Sequence, residues 1–231
     1  MSRRAALAAA AVLVSALAAL WIARPAALTY EPLAEPEGFR RLAGADLGMT
    51  PSMAAFAGLD AAPDLPKADL SALHLALGPG VPVAVFGDYA CTICAPHNET
   101  LEELAVDGRI ALTRHPLARL GAASGTGALA AAAAELQGRP GALDRRLYRS
   151  RFLPTDAWLR EVAEAEGLDG DRLVADMRGE AAALRVARSE ALARRFAVVG
   201  TPVTVIGRTV VTGAPSGRML DALIEAERET M

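Results

Sequence analysis

Cysteine is nearly absent from this chain: Cys91 and Cys94 are the only two in 231 residues. One closely spaced pair leaves no framework of several disulfides to staple a fold. It leaves three uses: a redox couple, half of a metal site, or a local staple. Aromatic side chains are also scarce, at 4%, whereas 52% of residues are hydrophobic, so the core is built from alanine, leucine and valine. No one sign of charge dominates. The 24 basic residues are interspersed with 27 acidic ones, the net charge is −3, and no basic stripe is interleaved with aromatics. That distribution argues against a nucleic-acid partner. A second cysteine pair and a closely spaced histidine pair are both missing. Zinc needs about four ligands, so it would have to recruit His97 and His115 or His74 around Cys91 and Cys94. A staple gains little here, because even a 15-residue loop yields only ~3 kcal/mol of unfolded-state entropy and this one is far shorter.

One long apolar run is present. After Arg3 and Arg4, residues 5–23 read AALAAAAVLVSALAALWIA, with Ser15 as the only polar side chain, and Arg24 and Pro25 follow. The length falls between a signal-peptide core and the ~20 residues of a spanning helix. Ala16 and Ala18 suit a signal peptidase, whereas Trp21 and Ile22 suit the outer end of an anchor. Residues 1–28 are therefore expected to be a signal peptide or a membrane anchor, and both place the remainder outside the cytoplasm, where a disulfide persists. Residues 29–68 read as a proline-rich tether with little regular structure; six prolines fall between residues 25 and 68. Phe39, Met53, Phe56 and Leu59 are its expected anchor points.

Folded structure is expected from residue 69. VPVAVF (81–86) is a short, valine-rich run of the kind that forms a strand buried on both faces. TLEELAVDG (100–108) places Leu101, Leu104 and Ala105 on one helical face and stops at Gly108. RIALTRH (109–115) reads as a second strand, so the three make a β-α-β unit with parallel strands. Residues 116–179 are helical throughout, with the alanine tract 130–134 expected at a close helix contact. A longer helix, 180–196, carries Arg185, Arg188, Arg194 and Arg195 on an expected solvated face. GTPVTVIG and RTVVTG then suit an antiparallel hairpin, and a closing helix starts at Ser216. The expected fold class is α/β, a thioredoxin-like fold with an inserted α-helical domain. Its first part spans 69–115, the insert 116–179 and the second part 180–231.

The residues VFGDYACTIC at the end of the first strand, VVGTPVTVIG with its Thr-Pro step, and VAEAEGLDGDRLVADM in the insert resemble the DsbA-type thiol-disulfide oxidoreductases of bacteria. The resemblance runs from about residue 80 to 228, roughly two thirds of the chain. It implies disulfide exchange with exported proteins that bear thiols or disulfides, and a membrane or periplasmic redox partner. No cofactor is expected beyond the redox-active Cys91–Cys94 disulfide, and no metal. A non-enzymatic alternative, a peptide-binding chaperone or metal carrier using the same pair, belongs to another class of function.

Within that frame, a buried strand delivers Cys91 to the start of a helix, where unpaired N–H groups favour a thiolate. Cys91 is the expected attacking sulfur and Cys94 the resolving one. The resemblance implies a cis peptide bond before Pro202, facing the pair, with Thr201 offering a free backbone edge to a client strand. Thr92 and Ile93 are expected at the client-facing surface. Asp88, three residues before Cys91, is a candidate proton relay for Cys94, and equally a turn residue. Tyr89 is expected beside the active surface, His97 on the solvent face of the helix, and Pro96 to remove one helical hydrogen bond and bend the axis. The Thr-Ile dipeptide departs from the histidine-containing dipeptide of the strongly oxidising relatives and leaves the direction of electron flow open.

Overall fold

The central strand determines what must surround it. In the computed structural model, which describes residues 28–44, 50–51, 65–150 and 153–231, the run 81–87 forms β4 (Val81–Gly87). Successive side chains of a strand point to opposite faces. Val81, Val83 and Val85 accordingly enter one core with Leu101, Leu104, Leu220 and Leu223, while Ala84 and Phe86 enter another with Leu117, Leu192, Phe196 and Val205. A strand buried on both faces needs a helix layer on each, and the chain supplies them.

The described strands before it are β1 (Tyr30–Pro32), β2 (Arg40–Leu42) and β3 (Thr50–Pro51). After β4 come helix α1 (Cys94–Val106) and β5 (Ile110–Pro116). Helices α2 (Ala122–Leu136), α3 (Asp144–Arg149), α4 (Asp156–Ala165), α5 (Gly170–Asp176) and α6 (Glu180–Arg195) follow. The chain closes with β6 (Gly200–Thr201), β7 (Val203–Ile206), β8 (Thr209–Thr212) and α7 (Gly217–Arg228). The main sheet has the order β1-β2-β8-β7-β4-β5. Strands β4 and β5 are parallel, with Val83 opposite Leu112, and β4 is antiparallel to β7, with Val83 opposite Ile206. The β7–β8 hairpin is antiparallel. This is the α/β architecture expected of a thioredoxin-like fold with helices inserted after its β-α-β unit.

The insert has its own core. Ala130, Ala133 and Ala134 of α2 pack with Leu143, Leu147, Leu159, Val162 and Leu173, and Tyr89 from the turn after β4 joins them. Small side chains let the helices approach closely, which is what the alanine tract supplies. The N-caps are chemical as well as geometric: Thr155, Asp169 and Ser216 each accept a bond from a first-turn N–H.

Three expectations require correction. Residues 29–68 are not wholly a tether, because β2 runs parallel beside β8, with Arg40 opposite Thr209, and β1 pairs with β2. Without β2 the outer edge of β8 would be a row of unpaired backbone groups, a template that a neighbouring segment covers. Arg40 fastens this cover by donating to Glu227 at 2.8 Å and to Thr209 at 2.8 Å, with its guanidinium 3.9 Å from the ring centroid of Tyr30. Burial works to raise the pKa of Glu227, but bonds from Thr209, the Arg208 N–H and Arg40 outweigh it and hold the carboxyl below its usual range. Phe39 meets Phe196 edge-on at 4.9 Å, whereas Met53, Phe56 and Leu59 lie outside the described residues. Second, Arg185 does not sit on a solvated face. It bonds Glu135 of α2, Ser189 and the Arg114 carbonyl, tying α6 to the insert and to β5. Third, Pro96 lies in the first turn of α1, where its missing N–H would have had no helical partner, so no bond is lost. Among the described residues no helix is long and apolar enough to cross a membrane, and residues 5–23 lie outside them.

His97 and His115 are buried against the sheet. His115 stacks on Phe86 at 4.9 Å and its Nε2 meets the Leu73 carbonyl at 3.0 Å. Burial lowers the pKa of His97 to about 4 and, with a smaller push from Arg185 and His74, that of His115 to about 3. Both folded values lie below the ordinary ~6.5. As pH falls through ~6.5 the unfolded chain takes up protons that the native state refuses, so stability is full above that value and drains towards the folded pKa values. Urea unfolding at pH 7 and pH 5 should show a loss on the order of 1–2 kcal/mol per histidine. Replacing both histidines with glutamine should flatten the difference; an unchanged slope would assign it to other groups.

Candidate active site

The site is built where β4 ends. Gly87 is its last residue, and a side chain there would meet the Tyr148 hydroxyl at 2.5 Å, so only glycine lets α3 close over the strand end. The next residues make two consecutive turns. Cys91 N–H donates to the Asp88 carbonyl at 3.0 Å, and Cys94 N–H to the Cys91 carbonyl at 3.2 Å. Helix α1 begins at Cys94, so Cys91 stands one turn ahead of it, at the mouth of the helix and not within it. The two cysteines are joined as a disulfide with Cα atoms 5.3 Å apart. Cys94 is fully buried and Cys91 is 2% exposed. Cys91 borders a groove of about 870 Å³, whereas Cys94 does not; Thr92 and Ala95 share its wall, with Gly127, Leu147 and Leu153 opposite. A partner entering the groove meets Cys91 first.

Across the sheet, the Cys91 Sγ lies 3.6 Å from the Thr201 carbonyl oxygen. Thr201 and Pro202 are buried, and the bond between them is cis. The structure thus brings Cys91, Cys94, Thr201 and Pro202 together although about 110 positions separate the two pairs. Thr92 is exposed and Ile93 half-buried at the turn.

Asp88 faces elsewhere. Fully buried, it accepts from Ala90 N–H at 2.9 Å through Oδ1, and through Oδ2 from Arg119 N–H at 2.9 Å, Leu120 N–H at 3.2 Å and the Ser124 hydroxyl at 2.5 Å. Four donors on one carboxylate describe a turn anchor that holds the 117–124 loop against the cysteine turn. His97 corrects its expectation: it is 3% exposed, and its Nε2 lies 2.7 Å from the Thr204 hydroxyl, beneath the helix and not on its solvent face. The ring spacing that looked solvent-facing in sequence is covered by β7. His74 and His115 meet the backbone carbonyls of Gly207 and Leu73, so the three histidines that a zinc site could have recruited point to three separate partners.

Several supporting residues escaped sequence reasoning. Asn98 donates to the Cys94 carbonyl at 3.0 Å and to the Tyr148 hydroxyl at 3.1 Å. Tyr148 lies 4.6 Å from the Tyr89 ring, and Tyr89 donates to Asp144 at 2.7 Å. Asp144 is in turn paired with Arg114 at 2.5 Å. Burial first, and the Asp144 charge second, push both tyrosines well above their ordinary pKa, so both hydroxyls remain neutral, that of Tyr89 donating to Asp144 and that of Tyr148 accepting from Asn98. In sequence Asn98, Tyr148 and Asp144 are ordinary helix residues; only Tyr89, two positions before Cys91, carried a positional signal.

Removing the Asp88 carboxylate strands three backbone N–H groups and leaves the Ser124 hydroxyl only the Leu117 carbonyl at 3.3 Å. Asp88→Ala should destabilise by about 2–4 kcal/mol, since each buried unpartnered donor costs roughly 1–3 kcal/mol and relaxation recovers part. Asp88→Asn, which turns an amide donor towards other donors, should cost at least half as much. Urea titration of the oxidised proteins measures both. A loss below ~1 kcal/mol would remove Asp88 as the anchor.

A family model described as the DSBA-like thioredoxin domain matches residues 98–225, more than half of the chain. Among solved structures, a thioredoxin-like oxidoreductase from Silicibacter pomeroyi aligns at 27% identity and TM-score 0.62, covering 70% of this chain and 99% of that one. The thiol-disulfide exchange protein alpha-DsbA2 of Wolbachia pipientis aligns at 23% identity and TM-score 0.60, covering 71% and 89%. A periplasmic thioredoxin-like protein from Salmonella enterica serovar Typhimurium aligns at 25% identity and TM-score 0.51, covering 68% and 90%. No match was found among curated proteins.

Proposed function

The chain belongs to the family of DSBA-like thioredoxin domains, which makes it a thiol-disulfide oxidoreductase, and from that premise we propose that it exchanges disulfides with exported protein clients through Cys91 and Cys94. The observation that carries the reading is one distance: Cys91 Sγ stands 3.6 Å from the Thr201 carbonyl, so an extended client lying along that edge passes beside the sulfur that borders the groove.

The exchange balances without a cofactor. In the reducing direction the Cys91 thiolate attacks one sulfur of a client disulfide, and the client's other sulfur leaves as a thiolate. The resulting mixed disulfide is attacked at the Cys91 sulfur by Cys94 after it loses its proton. The client's first sulfur then departs, the Cys91–Cys94 bond is formed, and two electrons have passed to the client. The oxidising direction is the same path reversed: a client thiolate attacks Cys91 and Cys94 leaves. Thr201 offers the backbone edge, Pro202 shapes it, and Thr92 and Ile93 form the surface that the client approaches. Redox turnover requires a further thiol partner in the membrane or periplasm, and the apolar segment 5–23 supports delivery to that compartment, as a signal peptide or as an anchor.

Cys94→Ala should accumulate a mixed disulfide with a disulfide-bearing client, whose other sulfur leaves as a thiolate, and this species should resist resolution; Cys91→Ala should form none. Non-reducing electrophoresis followed by mass spectrometry reads both. Trapping by Cys91→Ala in place of Cys94→Ala would reverse the roles.

The dipeptide gives the direction a handle. Thr92 and Ile93 carry no cation to stabilise a thiolate, so the pair should be less oxidising than one containing histidine. Ile93→His should lower the Cys91 thiol pKa by about one unit and raise the reduction potential by up to ~30 mV, the two-electron equivalent of a tenfold change in equilibrium. Titration against glutathione reports the potential and absorbance at 240 nm the thiolate. No movement in either would clear the dipeptide of control.

A further inference from the structure

The edge assigned to the client is already paired. Strand β3 runs antiparallel to β6, with Thr50 opposite Thr201 and Pro51 opposite Gly200. Thr201 is also the residue whose carbonyl lies against Cys91 Sγ. The backbone of residues 50–51 therefore holds the position that an extended client must take, in the sheet-extending manner by which peptides add to open edges.

We propose that Thr50–Pro51 is an internal stand-in for the client strand, which occupies the edge beside Cys91 at rest and is displaced when a client is bound. The proposal rests on the oxidoreductase reading and names what regulates access to that site. Three features of β3 suit a displaceable occupant. It is two residues long. One of the two is proline, which has no N–H, so the strand can donate at most one ladder bond. It also carries no sulfur, since Cys91 and Cys94 are the only cysteines in the chain, and so cannot exchange with Cys91. Tethering offsets the weakness of the pairing: a segment linked to its site competes at an effective concentration that reaches the millimolar range for short flexible linkers. Dilute chains that brush the edge are turned away, whereas a client held by a longer ladder and a bond to Cys91 prevails. The same occupancy keeps an otherwise open sheet edge from pairing with other molecules.

Two measurements on the full-length Cys94→Ala protein test this. In the first, amide hydrogen exchange is followed at Thr50 before and after an extended peptide, supplied with its cysteine as a mixed disulfide with glutathione, is trapped on Cys91 as glutathione leaves. Displacement should speed exchange at Thr50 by roughly tenfold or more, while the Thr201 region stays protected. A trapped peptide with unchanged exchange at Thr50 would overturn the proposal and leave the oxidoreductase reading intact. In the second, Thr50→Cys and Pro51→Cys are each oxidised with glutathione disulfide, which takes up the two electrons as the introduced thiol and Cys91 join. Neighbouring residues of a strand face opposite sides, so one of the two should form the internal disulfide at least tenfold faster than Thr230→Cys, an exposed control near the C-terminus. Joining at neither position overturns the proposal even if no peptide can be trapped. Joining with no trapped peptide supports β3 as the occupant of the edge and counts against the oxidoreductase reading alone.

Discussion

Everything in this fold follows from burying β4 on both faces. Seven residues without a polar side chain cannot face water, and a strand with one solvated face would expose either its three valines or Ala84 and Phe86, at about 1.5 kcal/mol or more for each large side chain. The chain meets the demand with α1 and α7 on one face and α6 on the other, and with β5 and β7 on the two edges. A strand enclosed in this way has only its ends free. Its C-terminal end must therefore carry whatever chemistry the protein performs, and the two cysteines stand there.

Holding them there is a problem of hydrogen-bond accounting. The turn after β4 leaves the ladder while Asp88, Tyr89 and Cys91 are still buried, so its N–H groups need acceptors that the sheet no longer supplies. Asp88 provides them by binding donors from its own turn and from the loop before α2. Tyr89 then leaves the central core and joins that of the insert, where its hydroxyl reaches Asp144. Asp88 and Tyr89, three and two positions before Cys91, thus fasten the redox turn to two separate bodies of packing. Net gains of about 1 kcal/mol per bond are modest, but unmade bonds in a buried turn cost roughly 1–3 kcal/mol each, and that asymmetry is what gives the turn a single conformation.

The sequence was most legible where one physical rule acted alone. An unbroken apolar run of strand length announced β4, glycine stops and N-cap residues marked the helices, and two lone cysteines on either side of a turn declared the chemistry. It was least legible where the outcome depended on a neighbour distant in sequence. His97 has the spacing of an exposed helix residue until β7 places Thr204 over it. Arg185 looks like one more arginine on a charged helix until Glu135 and the Arg114 carbonyl surround it. Residues 30–42 carry prolines and charges that argue for a tether; what recruits them is the bare edge of β8 and a buried carboxylate at Glu227, neither of which leaves a mark on the segment itself. Pro96 departs from its expectation for another reason: the helix starts at Cys94, and helix boundaries shift by a residue or two with the capping geometry.

Those same distant contacts explain why the insert sits where it does. Gly87 admits the Tyr148 hydroxyl over the strand end, and Gly127 of α2 lies so close to Tyr89 that a side chain there would come within 2.9 Å of its Cβ. Two glycines, one from each body, permit contact that any larger residue would hold apart. With that contact made, Asn98 can bridge the Cys94 carbonyl to Tyr148, and the wall of the groove beside Cys91 becomes continuous from α1 to α3. Were the insert docked elsewhere, Tyr89 would have to bury its hydroxyl without Asp144, and Cys91 would border open solvent in place of a groove. The helical domain therefore supplies the far wall of the groove that Cys91 borders.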